Sequence, residues 1–173
     1  MKNTLFLMVV LGVGITATAG ILWYISQGEF NPEFPPHNVK KTVNLYYYNP
    51  DLDKDVSGNI QCSREGLVAV KRAIPFSGIL VSIRNTLQLL LSGELTQEER
   101  NQGITTEFLL EGVLLQEITL DEGVLTLVFD DLQNKTGGGS CRAGILWFQI
   151  EQTAKQFSGV QEVRFFPEWL FQP

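Results

Sequence analysis

The sequence predicts an α+β domain in the order β-β-α-β-β-α-β, with helices packed on one face of a mixed or largely antiparallel sheet and one transmembrane helix ahead of it. Three observations lead there. Residues 43–48 and 124–129 are β-branched and aromatic stretches of strand type, whereas Ile79, Ile83, Leu87 and Leu90 recur at helical spacing. The strands come in neighbouring pairs, each pair followed by a helix, and no internal repeat interrupts the order. The chain has 173 residues, 44% of them hydrophobic and 18% charged, which is apolar material for one core even without the N-terminal stretch.

Residues 1–4 read as a cytoplasmic N-terminus and residues 5–25 as the membrane span. No charge falls between Lys2 and Glu29. A helix over that run rises about 31 Å, enough to cross a bilayer core. Trp23 and Tyr24 stand at its far end, where aromatic rings favour the interface. Lys2 precedes the run, while Glu29 and Glu33 follow it, so the positive-inside rule places the remainder outside the cytoplasm. A second reading is a cleaved signal peptide, because Ala17-Thr18-Ala19 fits a small-x-small cleavage site. Against cleavage, the apolar run continues from Ile21 to Ile25. One reading gives a single-pass membrane protein and the other a secreted one; both export the domain. Residues 26–42, stiffened by Pro32, Pro35 and Pro36, read as a linker, leaving residues 43–173 as the domain.

Within the domain, residues 43–48 and 67–74 read as the first two strands, separated by the polar loop 49–61. Ser77 is the expected N-cap of the first helix, and Gly93 ends it. Thr96 caps a further short turn that Gly103 closes. Residues 113–120 and 124–129 form a hairpin about Asp121-Glu122-Gly123. Both faces of residues 124–129 lean apolar, which marks an inner strand. Ser140 is the expected cap of a helix reaching about Phe157, and residues 160–166 form the last strand. Cys62 and Cys141 are the only cysteines, and in an oxidising compartment such a pair predicts a disulfide. Closing so long a loop would add an entropic stabilisation of about 4.5 kcal/mol.

With the elements in this order, particular stretches resemble a known family. Leu89-Leu90-Leu91-Ser92-Gly93, Thr96-Gln97-Glu98-Glu99 and Gly103-Ile104-Thr105-Thr106 resemble the leucine-leucine-x-glycine, acidic-helix and glycine-x-x-threonine stretch of GerMN domains, the sporulation and spore-germination modules of exported bacterial proteins. The hairpin within residues 115–129 is similar to that family's hairpin. Gln149-Ile150, Thr153, Phe157 and Gly159-Val160-Gln161-Glu162-Val163-Arg164-Phe165 resemble its last helix and strand. The chain departs from the pattern at Glu94, where the family usually has proline, and at Phe166-Pro167-Glu168, where it closes on aspartate-glycine. The resemblance implies a non-catalytic module of envelope or protein–protein assembly, and it supplies no catalytic residue.

Three groupings have the composition of a site. Asp51, Asp53, Asp55 and Gly58 alternate as in a calcium loop, but Val56 holds the glycine position and Cys62 the place of the bidentate glutamate, so a turn satisfied by its own amides is expected. Gly137-Gly138-Gly139 with Arg142 could cradle an anion but lacks the lysine of a phosphate loop. The carboxylate pairs Asp121-Glu122 and Asp130-Asp131 suit glycoside hydrolysis only if brought face to face. The one histidine, His37, falls in the linker, so the domain has no Ser-His or Cys-His nucleophile and no zinc ligand set. A net charge of -6 with scattered basic residues argues against nucleic acid. No catalytic, cofactor or metal residues are therefore expected. The expected partners are the membrane, through the N-terminal helix, and a protein or cell-wall component, met by outward aromatics among Tyr46-Tyr47-Tyr48, Phe165-Phe166, Trp169 and Phe171. The alternatives are an envelope polysaccharide hydrolase and a small-ligand receptor with an apolar pocket.

Overall fold

The computed structural model describes residues 40–172. The segment read as a membrane span lies outside the described residues. Among the described residues no helix is long and apolar enough to cross a membrane.

Strand β1 (Lys40–Tyr48) pairs antiparallel with β2 (Leu67–Pro75), from Lys40 opposite Pro75 to Tyr48 opposite Leu67. Helix α1 (Ile79–Leu91) and the short α2 (Gln97–Asn101) follow. Strands β3 (Val113–Asp121) and β4 (Val124–Asp131) form the hairpin. Helix α3 (Ser140–Lys155) then crosses over to β5 (Glu162–Phe166), which lies parallel to β4. In the sheet β3-β4-β5 the central strand is β4, the one whose two faces both lean apolar.

The expected single sheet is instead two: β1-β2 and β3-β4-β5. The reason lies along β1. On the side away from β2, Asn44 N–H donates to Gln156 Oε1 at 2.8 Å and Gln156 Nε2 donates back to Asn44 O at 2.7 Å. Tyr46 N–H donates to Thr153 Oγ1 at 3.0 Å, and Tyr48 exchanges backbone bonds with Thr105. With these groups satisfied by Thr153 of α3, by Gln156 just past its end and by one bridge, no third strand can add there. Helix α1 packs on both sheets and on α3, and α3 in turn touches β1 and β5. The helices thus join the sheets through one core, in which Leu45, Ile83, Leu87, Leu125, Leu146 and Ile150 are almost wholly buried.

Two helix starts differ from expectation. Gly78, not Ser77, precedes α1, and Gly139 precedes α3 with Ser140 as its first residue. Neither helix has a side-chain cap. Both glycines hold a positive φ, 92° and 95°, a turn into the helix that serine would adopt only with strain. Thr96 does cap α2, in a capping box with Glu99. Ile79 is partly exposed, because the face of α1 turned inward is Ser82, Ile83, Thr86, Leu87 and Leu90. Gly93 ends α1 at φ 66°, and any Cβ there would collide with the backbone carbonyl of Phe108.

Candidate functional site

A groove of about 630 Å³ runs beside β5. Alternation along this strand sends Val163 and Phe165 inward and leaves Glu162, Arg164 and Phe166 outward. Phe165 is seated by Trp147 of α3 at 4.7 Å between ring centroids, Phe171 at 5.1 Å and Phe129 at 6.2 Å. The groove therefore stands on a rigid aromatic base. Phe166 lines it and is 56% exposed; Trp169, three residues on, is 53% exposed. Of the aromatics singled out in the sequence, these two remain outside and Tyr46 is half-buried, while Tyr47, Tyr48, Phe165 and Phe171 are core.

The strand beside the groove is an edge. The opposite edge, β3, carries a bulge between Leu115 and Glu117, and Arg84 Nη1 lies within 3.5 Å of the Leu115 and Gln116 carbonyls. No such device interrupts the regular pairing of β5. Two of the groove's three acids, Glu151 and Glu162, are ion-paired. Burial pushes the Glu151 carboxyl up, but the bonds from Arg64 and Lys155 outweigh it and hold the group below its ordinary value. Glu162 is held down by the Arg164 guanidinium at 2.6 Å. Trp147 and Glu151 were missed in the sequence. Their signal was the i,i+4 spacing on α3, which puts them on one helix face.

The loop after β1 closes on Asp53, which is 2% exposed. Its carboxylate accepts from Tyr48 Oη at 2.5 Å, Ser63 N–H at 2.7 Å and Ser63 Oγ at 2.6 Å. Burial raises this carboxyl, and the bonds from Ser63 and Tyr48 bring it below its usual range. Asp55 accepts from Ser57 and Asn59, and Asp51 pairs with Lys54. The alternating aspartates are thus spent on local donors, although Asp53 is a buried centre rather than a solvated turn residue. Cys62 and Cys141 are joined, with 5.2 Å between their Cα atoms, which staples this loop to the start of α3. Arg64 reinforces the staple, lying 4.1 Å over the Phe148 ring and pairing with Glu151.

In the glycine loop, Arg142 Nη1 donates to the carbonyls of Lys135 and Gly137 while Nε meets Glu107. That guanidinium braces the loop. Of the carboxylate pairs, Asp131 is buried and accepts from Lys135 N–H and from both the amide and hydroxyl of Thr136, whereas Asp130 points outward. Asp121 and Glu122 sit exposed at the hairpin turn. Glycoside hydrolysis needs one carboxyl kept protonated by a raised pKa. Each carboxyl displaced here, at Asp53, Asp55, Glu99, Asp131, Glu151 and Glu162, is displaced downward. Among the described residues, no three His, Cys, Asp or Glu side chains are grouped to hold a metal.

Fold and site together define a small α+β module with a stapled loop and an aromatic edge groove. The Germane family model, described as sporulation and spore germination, matches residues 44–168, well over half of the chain, and the chain belongs to that family. The resemblance carried by the leucine-glycine, capping and hairpin motifs is thereby confirmed. No curated protein and no solved structure matches the chain.

Proposed function

We propose that this domain is a non-catalytic interaction module of the cell envelope, held outside the cytoplasm by residues 5–25, and that it takes an extended segment of a partner protein along β5. The observation that carries the proposal is the edge strand lying beside the groove, with exposed Phe166 in its lining and exposed Trp169 three residues further along the chain. A strand added to β5 would gain main-chain hydrogen bonds, and the two aromatics would supply the anchoring contacts. The family's tie to sporulation and spore germination supports a role in that process.

Photo-crosslinking tests this in cells with the full-length chain. A crosslinking residue at position 166 is expected to trap a discrete envelope protein. The same residue at Val56, fully exposed but remote in sequence from the groove, serves as the control. Equal or absent trapping at the two positions would overturn the docking site. Fractionation tests the location separately. The chain is expected with membranes and open to protease added from outside, and recovery in the cytosol would defeat that part.

A further inference from the structure

A second cleft, about 200 Å³, lies between the end of β1, the Thr105–Glu107 segment and α3. Its floor holds an unmet demand. Gln149 is 1% exposed, and its Nε2 donates to Ile145 O at 3.3 Å, yet its Oε1 has no donor among the described residues. A buried acceptor without a partner is costly in the empty protein, and a ligand N–H would relieve that cost. Tyr48 and Pro50 on one side and Ile145 and Leu146 on the other give the cleft apolar walls. At the mouth, Arg142 and Glu107 neutralise each other, so the cleft does not select for an ion. Thr106 Oγ1 accepts from Phe108 N–H at 3.1 Å, which leaves its own proton to donate.

We propose that this cleft binds an acetamido group. The amide N–H meets Gln149 Oε1, the carbonyl meets the Thr106 hydroxyl, and the methyl packs against Leu146. A cleft of about 200 Å³ has room for one acetamido group with part of its carrier. Two carriers share this chemistry, an N-acetylated sugar and an N-acetylated amino acid. The site is separate from the groove along β5, and its occupancy stands or falls independently of partner docking.

The test is a side-chain amide NMR titration of the full chain in detergent micelles, with N-acetylglucosamine in one arm and N-acetyl-L-alanine methylamide in the other. A saturable shift of the Gln149 amide is expected in at least one arm, at about millimolar affinity for so few contacts. The arm that saturates identifies the carrier. Gln149→Met keeps the length and removes the acceptor along with the Nε2 donor; followed at the backbone amide of Glu107, which also lines the cleft, it is expected to weaken binding at least about tenfold. Should that variant fail to fold, Thr106→Val removes the opposing donor, and a loss of about threefold or more is expected. The proposal is overturned by the absence of a saturable shift in both arms. It is equally overturned by binding that the variants leave unchanged.

Discussion

Tyr47 and Tyr48 stand side by side on β1 with different demands on their hydroxyls. Tyr47 is 0% exposed, its hydroxyl has no partner, and burial pushes its phenol up to about 12. Tyr48 is raised as well, by burial and then by the bond it donates to Asp53. Tyr47→Phe is therefore expected to be neutral or to stabilise by up to about 1 kcal/mol, whereas Tyr48→Phe should cost about 1–3 kcal/mol, both measured by urea unfolding. Glu99 sets an acid-side dependence. The Arg72 guanidinium, which it meets through two 2.8 Å bonds, holds its carboxyl down to about 2 from an ordinary 4.5. A lowered folded-state pKa contributes stability that is full above the unfolded value and disappears as pH falls through the folded one, here between pH 4.5 and about 2. Glu99→Gln is expected to lose about 1–2 kcal/mol at pH 7 and almost nothing at pH 2, and an equal loss at both would refute the assignment. At this scale the sequence was least legible. Alternating aspartates look solvated, and only the return of Ser63 over the loop shows that Asp53 is buried.

Elements governed by near neighbours were legible. The turn Glu122-Gly123 has φ of 45° and 87°, the mirror-image turn that matches strand twist. Glutamate is a poor occupant of that first position, so Glu122→Asn should raise the denaturation midpoint by the equivalent of about 0.5–1 kcal/mol; no gain would mean the turn relaxes in solution. The Thr96 cap of α2 and the inner place of β4 were equally local readings. The starts of α1 and α3 were not, since serine is the commoner cap and the glycines' φ angles do not show in residue types alone. The division into two sheets was also hidden. It is decided by Gln156 and Thr153, which lie 112 and 107 residues along the chain from the β1 groups they satisfy.

On the scale of the whole molecule, the Cys62–Cys141 link spans 79 residues, from the loop after β1 to the start of α3. Reduction, or replacement of both cysteines by serine, is expected to lower unfolding stability by about 3–5 kcal/mol, read as a shift of the urea midpoint, and a shift near zero would show that Asp53 and Arg64 hold the loop unaided. The groove was half legible: the aromatic residues were evident, but which of them stay outside depends on the neighbours around Phe165. Two rims of the three-stranded sheet differ, one kinked at Leu115–Glu117 and the other straight at β5. For copies of this domain to stack into a filament, the straight rim of each would have to meet a straight rim on the next, and the kink denies it one. If β5 takes a guest strand as proposed, the kinked far rim leaves that assembly closed, and crowding would favour a finished complex over a growing fibre.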